Sequence, residues 1–307
     1  MHFTITSEHS KYRLDKFLKE HFPEPSRAYI QKLIAQGNVT VNGKHVSAHH
    51  FLKTGDAVEA EIEPPAEIAT TANPSVVFGV LAETPDYLVI EKPAGIIVHQ
   101  NTFHRAPDAL VNGLIARFPE IQKIGDDPLR PGIVHRLDAG VSGVMVIARN
   151  QEAFESLKKQ FQTHTMKKGY VALVHGRVVP DHGVIEFSLA RKGARMVARP
   201  KGGEGKSAVT EYETLQNFRE AATLLKISTK TGRTHQIRVH LFAKGNPIIG
   251  DPLYEAKLTP EGKKIKNPGR VLLHACELGF TDIKGKWQEF ESPLPNDFQE
   301  FILILKK

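Results

Sequence analysis

The sequence has few of the features that mark secreted, membrane or disulfide-linked proteins. Its 307 residues include one cysteine, Cys276, which has no partner for an internal disulfide. Proteins with this cysteine usage usually fold in a reducing compartment. No apolar stretch approaches the roughly 18 residues of a membrane span, and the polar N-terminus has no signal-peptide core. These absences predict a cytoplasmic protein with no membrane partner.

Metal and nucleotide motifs are also missing. The chain has 15 histidines, but none has metal-site spacing: His235 and His240 would lie about 140° apart on a helix. The segment GGEGKS, residues 202–207, ends like a phosphate-binding loop without the glycine spacing of one. The GxSxG nucleophile motif is absent. The sequence therefore predicts no metal and no nucleotide cofactor.

Positive charge is concentrated in two segments of a chain whose net charge is +7. Residues 11–53 hold eight Lys and Arg against three acidic residues, and residues 191–206 hold six against one. The second segment is Gly-rich without an apolar face, which predicts a mobile basic loop. Such clusters favour a polyanionic partner, with a solvated charged surface as the alternative. Candidate contacts to a polyanion are Arg13, Lys16, Arg27, Lys32, Arg191 and Arg195.

Hydrophobic periodicity divides the chain into two predicted α+β domains. Residues 1–63 fit two short helices and a hairpin that turns at Asn42-Gly43. Residues 64–75 contain three prolines and predict a linker. Residues 76–307 predict a large, mostly antiparallel sheet with flanking helices. Side chains suited to N-caps precede four predicted helices: Ser26, Asp108, Asn150 and Thr234.

Two further predictions concern the ends of elements. The stretch YLVIEKPAGIIVH, residues 87–99, predicts two strands around Pro93-Ala94-Gly95. Gly245 follows the apolar pattern of residues 234–244 and predicts the end of that helix.

The stretch GIVHRLDAGVSGVMVIARN, residues 132–150, places an aspartate at a small-residue turn that leads into an apolar run. Asp138 fits a turn former that bonds its own backbone. It equally fits a reactive carboxylate held at the edge of a strand. The distant segment KTGRTHQIR, residues 230–238, carries Arg233 at a predicted helix N-terminus.

The stretch 132–150 resembles the catalytic motif of RluA-type pseudouridine synthases. Other motifs of that family are matched in the same order by residues 87–99, 167–176, 230–254 and 272–280. The N-terminal unit resembles the S-four-type RNA-binding domain, and the likeness spans about residues 12–62 and 78–300. One departure is Val141, where the family usually has Thr.

The resemblance implies a role for each motif residue. Asp138 matches the catalytic aspartate, which acts ionised as a nucleophile or as a base. Arg233 matches its cationic partner, which favours the ionised carboxylate. Tyr170 matches the tyrosine that packs on the target base and can move a proton, with an ordinary strand aromatic as the alternative. His135 and Arg136 match the RNA-contacting pair, in which Arg136 fills the gap left by the extruded nucleotide and His135 orients the loop. For Arg136, a phosphate contact is the alternative.

The implied activity is isomerisation of uridine to pseudouridine in structured RNA, without a cofactor. Members of the family with this N-terminal domain often act on large-subunit ribosomal RNA, which we expect as the substrate. A transfer RNA substrate is the alternative within the class. A non-catalytic RNA-binding ribosome-assembly factor is the alternative outside it.

Overall fold

The computed structural model describes residues 1–23, 25, 27–62, 70–100, 107–193, 195–254 and 265–306. The chain divides into two compact units, residues 1–69 and 70–307. Ser26, the predicted N-cap, and residues 64–69 of the predicted linker lie outside the described residues. Within the described residues, no helix is long and apolar enough to cross a membrane.

The first unit packs two helices on a small antiparallel sheet with strand order β1-β4-β2-β3. Its helices and strands are α1 (Leu14–His21), α2 (Arg27–Gln36), β1 (His2–Thr4), β2 (Val39–Val41), β3 (Lys44–His45) and β4 (Ala57–Ala60). Asn42 and Gly43, at φ of 52° and 71°, form the turn between β2 and β3 as predicted. The apolar faces of α1 and α2 close the core of this unit over Val39 and Val58.

The second unit is built on a ten-stranded sheet with order β10-β9-β11-β12-β8-β13-β7-β6-β5, and β14 also pairs with β13. The strands are β5 (Gly79–Glu83), β6 (Tyr87–Lys92), β7 (Ser142–Ala148), β8 (Lys167–His175), β9 (His182–Lys192), β10 (Arg195–Arg199), β11 (Lys206–Phe218), β12 (Ala222–Thr229), β13 (Leu273–Thr281) and β14 (Trp287–Glu291). The helices are α3 (Leu110–Arg117), α4 (Gln151–Thr163), α5 (Gln236–Lys244) and α6 (Asn296–Leu305).

All described pairings in this sheet are antiparallel except that of β13 with β7. The predicted α+β class, with a large and mostly antiparallel mixed sheet, is confirmed. Strand β7 is buried along its whole length, as its uninterrupted apolar sequence requires. The sheet thus brings the segment before β7 beside β13 and β8.

Helix ends agree with the sequence where one residue decides the geometry. Asn150 caps α4 by accepting a 2.8 Å hydrogen bond from the amide of Ala153, and Gly245 ends α5 in the left-handed region. Two predicted N-caps are wrong by one residue, because the cap positions are Ala109 rather than Asp108 and His235 rather than Thr234.

Three other segments differ from their predictions. Residues 195–199 of the predicted basic loop form β10, which pairs with β9 and so satisfies its backbone. Residues 93–99 contain no strand. Residues 70–75 of the predicted linker are bound to the second unit, since Thr70 donates to the carbonyl of Pro128 at 2.9 Å and Asn112 donates to the carbonyl of Thr71 at 2.6 Å.

A buried carboxylate holds the two helices of the first unit together. Asp15 on α1 is fully buried and accepts hydrogen bonds from Arg13 at 2.9 Å and from Arg27 at 2.8 Å. Gln31 on α2 also donates to it. Burial opposes ionisation, but the bonds to Arg13, Gln31 and Arg27 lower the pKa of Asp15 from 3.8 to about 2.

We expect Asp15→Asn to destabilise the first unit by about 3 kcal/mol, because it leaves two arginines without their buried partner. The folded-state pKa is the lower one, so this contribution is present above pH 3.8 and is lost as the pH falls through about 2. Hydrogen exchange of the α1 amides in the full chain measures the change. The exposed control Glu20→Gln should change stability by less than about 0.5 kcal/mol. Equal protection in both variants would contradict the role of Asp15.

Candidate active site

The loop that carries Asp138 is anchored on both sides of that residue. Leu137 and Val141 are buried in the core, whereas Asp138 between these two anchors is partly exposed and Arg136, just before them, is exposed. The amide of Val141 donates to the carbonyl of Asp138 at 3.0 Å and closes a turn. Because this bond is made by the backbone, the valine at position 141 leaves the turn intact.

The buried side chain of Lys92 also holds this loop, through hydrogen bonds to backbone carbonyls. The ammonium of Lys92 donates to the carbonyls of Pro93 at 2.7 Å, Ile96 at 2.9 Å and Ala139 at 3.2 Å. Burial lowers the pKa of Lys92 to about 7, the charge of Arg270 adds to this, and Asp138 opposes it. All three donors of the ammonium are satisfied, which fixes the residue next to Asp138.

His135 is a second anchor. Its Nε2 accepts a 3.0 Å hydrogen bond from the amide of Val146 on β7, and its ring stacks on Phe161 with centroids 4.4 Å apart. Burial, together with the charge of Lys168, lowers the pKa of His135 to about 3, so the ring is neutral. These contacts fix the ring against β7, and a neutral ring with one nitrogen occupied carries no charge for a phosphate. The orienting role of His135 stays a prediction.

Gly143 allows the strand after the loop to approach its neighbour closely. Its φ is 127°, and a Cβ there would lie 2.2 Å from the carbonyl oxygen of Ala275. This is the point at which β7 and β13 pair in parallel. A side chain at position 143 would push β7 and β13 apart, and β7 directly follows the loop that carries Asp138.

An arginine clamp fixes Asp138. Arg238, in the first turn of α5, donates from Nη1 to Asp138 Oδ2 at 2.9 Å, and from Nε and Nη2 to the two oxygens of Asp251 at 2.6 and 2.8 Å. The exposed side-chain fractions are 19% for Asp138, 8% for Arg238 and 0% for Asp251. No described residue donates to Asp138 Oδ1, so one oxygen of this carboxylate is bound by the clamp and the other has no donor among the described residues.

The charges of the clamp stabilise one another. Burial disfavours each charge, but the bonds and charge of Arg238 and the amides of Leu253 and Tyr254 keep the pKa of Asp251 below its usual value. Burial likewise opposes the charge of Arg238, while Asp251 and then Asp138 raise the pKa of that guanidinium. Both groups are therefore charged at neutral pH.

The cation beside Asp138 is thus Arg238, and the predicted pairing with Arg233 is wrong. Arg233 lines the same pocket, but its Nε donates to the carbonyl of Ser207 at 3.2 Å. The physical reason is that α5 begins at Gln236, so Arg233 lies in the preceding turn. The side chain of Gln236 holds that turn by accepting from the Arg233 amide at 3.1 Å and donating to the carbonyl of Val209 at 2.9 Å.

His235 connects the clamp to the neighbouring hairpin. Its Nε2 lies 3.8 Å from Asp138 Oδ2, and its Nδ1 lies 2.9 Å from the hydroxyl of Tyr254. That hydroxyl accepts from the amide of Met196 on β10 at 3.1 Å. Burial lowers the pKa of His235, Asp138 opposes the shift and Arg238 adds to it. The backbone of His235 is left-handed, with φ of 54°, and this bends the chain into α5.

Tyr170 on β8 lines the same pocket as Asp138, a cavity of 140 Å³. Burial raises the pKa of Tyr170 to about 12, with a hydrogen bond from Thr229 opposing the shift and the charge of Asp138 adding to it. The side chain is therefore a neutral phenol at physiological pH. The cavity is smaller than the roughly 300–1,000 Å³ of typical ligand pockets, a size suited to a single ring.

The predicted RNA contacts lie in different settings. Arg136 is exposed at the pocket and makes no hydrogen bond or ion pair with another described residue. Arg13 and Arg27 are bound to Asp15. The remaining four predicted contacts are exposed: Lys16 and Lys32 in the first unit, and Arg191 and Arg195 on the β9–β10 hairpin.

Sequence reasoning missed Arg238, Asp251 and Lys92. Arg238 and Asp251 stand in motifs that were recognised, but nothing in their spacing shows that two carboxylates share one guanidinium. An ionisable side chain within an apolar strand, such as Lys92 after YLVIE, is the signal that points to a buried polar contact. No group of three His, Cys, Asp or Glu side chains suited to a metal ion occurs in the described part of the chain.

Two sequence-family models match this chain. The sequence model described as RNA pseudouridylate synthase matches residues 86–243, and that of the S4 domain matches residues 13–58. An uncharacterized RNA pseudouridine synthase of Bacillus subtilis (strain 168) is 37% identical over 305 residues, covering 99% of this chain and 97% of that protein.

Two further relatives extend the comparison. The ribosomal large subunit pseudouridine synthase D of Pseudomonas aeruginosa is 34% identical over 306 residues, covering 96% of this chain and 92% of that protein. The solved structure of human RNA pseudouridylate synthase domain containing 1 superposes with a TM-score of 0.56 at 25% identity, covering 72% of this chain and 84% of that one. The chain belongs to the RNA pseudouridine synthase family, a family of isomerases, and carries an N-terminal S4 domain.

Proposed function

We propose that the chain converts specific uridines of large-subunit ribosomal RNA to pseudouridine, with Asp138 as the catalytic residue. The observation that carries this proposal is the clamp, in which Arg238 binds Asp138 Oδ2 while no donor among the described residues reaches Oδ1. A carboxylate that served only as a turn former would need no buried cation held by a second carboxylate. The cytoplasm, where a lone cysteine stays reduced, is the compartment we expect.

The reaction requires one glycosidic bond to be exchanged for another. The bond from C1′ of the ribose to N1 of uracil breaks, a bond from C1′ to C5 forms, C5 loses a proton and N1 gains one. Asp138 Oδ1 either attacks the sugar or the base, or removes the proton that starts glycal formation. In each case the reaction uses the anionic carboxylate, whose Oδ2 lies 2.9 Å from Arg238 Nη1.

Tyr170 acts as a neutral ring. With its pKa near 12, it packs against the uracil and donates a hydrogen bond but does not supply a phenolate base. Arg136, exposed at the pocket, takes the place of the extruded nucleotide. Extrusion of a base costs a few kcal/mol, and a planar guanidinium restores part of the lost stacking.

The substrate assignment rests on the relatives and on the first unit. The relative from Pseudomonas aeruginosa is named for the large ribosomal subunit, and the S4 domain together with the exposed basic residues suits structured RNA. A transfer RNA substrate is the alternative. A non-catalytic assembly factor would not need the clamp on Asp138, and for this reason we favour the enzyme.

We expect Asp138→Asn to lower pseudouridine formation by at least about 1,000-fold, because the amide lacks the charge of the reacting group. RNA affinity at a stated salt concentration should be retained. The measurement is the pseudouridine content of ribosomal and transfer RNA after incubation with each variant. Asp181→Asn, an exposed aspartate outside the pocket, is the control. Full activity of Asp138→Asn would exclude the mechanism, and RNA binding without modification by the native protein would favour the assembly factor.

The two arginines of the 230–238 segment should differ in their kinetic effects. Arg238→Lys keeps a cation but cannot hold both oxygens of Asp251 and reach Asp138, so we expect kcat to fall by about 100-fold. Arg233→Lys should mainly raise KM, because Arg233 does not bind Asp138 in the described geometry. Steady-state kinetics on the mapped RNA separates the two effects. A larger loss of kcat in Arg233→Lys would reverse the assignment.

Removal of the first unit should reduce affinity rather than chemistry. A chain that begins at Thr70 keeps residues 70–75, which are bound to the second unit. Each phosphate contact that is lost should reduce the slope of log affinity against log salt by about 0.7 to 0.9. Titration of both chains at several salt concentrations measures the slope. An unchanged slope would show that the S4 domain contributes no phosphate contact.

A further inference from the structure

A second cavity adjoins the catalytic pocket. It has a volume of 570 Å³ and lies between helix α4 and the loop before β7. Arg136, Tyr170, Gly232 and Arg233 line both cavities, so the two share a wall. At about four times the volume of the catalytic pocket, this groove falls in the range of typical ligand sites.

Only some of the charged side chains that line the groove form ion pairs. Away from the wall shared with the catalytic pocket, Asp127 pairs with Arg130 at 3.2 Å and Asp126 pairs with Lys158. The remaining cations of the groove have no acidic partner within ion-pair distance among the described residues, and they are Arg136, Lys168 and Arg233. Two of these three belong to the shared wall. The excess positive charge is therefore greatest where the groove meets the catalytic pocket.

Lys168 shows how strongly these cations act on one another. Its ammonium donates to the carbonyl of Thr231 at 3.2 Å. Burial and then the charge of Arg233 lower the pKa of Lys168 to about 8. An anion placed between Lys168 and Arg233 would relieve this repulsion.

The other wall of the groove is aromatic. Phe161 lines the groove and stacks on the neutral ring of His135, with the two planes inclined by 20°. The stack is fixed from behind, because His135 accepts from the amide of Val146. A rigid ring beside a group of cations is the arrangement that single-stranded RNA uses, with bases stacked on aromatic side chains and phosphates on Lys and Arg.

We propose that this groove binds a second nucleotide of the RNA, the direct neighbour of the target uridine. Its base stacks on Phe161, and the phosphate that joins the two nucleotides lies between Lys168 and Arg233. The inference rests on the proposed function, since the first base must occupy the pocket beside Asp138. A free inorganic anion would use the cations and leave the aromatic wall without a role. The groove thus makes the nucleotide next to the target a determinant of specificity.

Abasic RNA tests the stacking. We use a ribosomal stem-loop that contains the mapped uridine, with an abasic residue placed at either neighbour, and measure affinity for the full-length protein by fluorescence anisotropy. Loss of the base on one side should weaken binding by about tenfold, and Phe161→Ala should weaken binding of the intact RNA by a similar factor. In the Phe161→Ala variant, the abasic residue should then cause no further loss of RNA affinity, because both changes remove the same contact.

A second substitution covers the case in which Phe161→Ala fails to fold. Phe161→Leu keeps apolar volume without a ring, and the same coupling is expected.

The phosphate contact has its own test and matched control. Lys168→Met should lower the slope of log affinity against log salt by about 0.7 to 0.9. Lys159→Met, at an exposed position of the same helix as Phe161 and outside the groove, should leave the slope unchanged.

The outcomes separate the two proposals. Additive losses, or no effect of an abasic residue on either side, would overturn the second-nucleotide site while the intact stem-loop is still converted to pseudouridine. A reduced salt slope in Lys168→Met without any loss from an abasic neighbour would show a phosphate contact only and would also overturn it. Failure of the native protein to form pseudouridine in the stem-loop would overturn the proposed function itself.

Discussion

One guanidinium between two carboxylates is the interaction on which the site depends. Arg238 uses Nε and Nη2 for Asp251 and has Nη1 left for Asp138, so the fully buried Asp251 determines where the third donor points. Leaving one member of such a buried group unpaired costs about 3–5 kcal/mol. The clamp therefore holds the loop before β7, the first turn of α5 and the segment after it in one arrangement, although they are far apart in sequence.

Two further side chains, Lys92 and His135, hold the loop without lining the pocket that contains Asp138. The ammonium of Lys92 is enclosed by three carbonyls, and His135 is neutral and bound to β7. Arg136, which is exposed at the pocket, has no hydrogen-bond or ion-pair partner among the described residues and is therefore available to RNA. This division keeps Asp138 in a fixed position while the surface around it stays basic, an arrangement that suits both the proposed reaction and RNA binding.

Much of this arrangement could be predicted from the sequence, because local patterns decide it. The Asn42-Gly43 turn, the Asn150 cap and the buried strand β7 follow from residues adjacent to them. The partner of Asp138 could not be predicted in the same way. Arg233 and Arg238 stand in one motif, and only the start of α5 at Gln236, set by its contacts to Val209 and Thr210 on β11, decides which of them reaches the carboxylate. Strand β10 could not be predicted either, because its many charged residues are typical of a loop and it is pairing with β9 that stabilises the strand.

The shared wall of the two cavities gives the same residues two roles. Tyr170 separates the catalytic pocket from the groove, and its neutral phenol offers an aromatic ring without adding charge to either. Arg136 and Arg233 line both cavities, so each lies beside the RNA in the proposed complex. In the proposed complex, chemistry at the clamp and selection of the neighbouring nucleotide are coupled through this strip of side chains, because a base that does not fit the groove would also displace the uridine from Asp138.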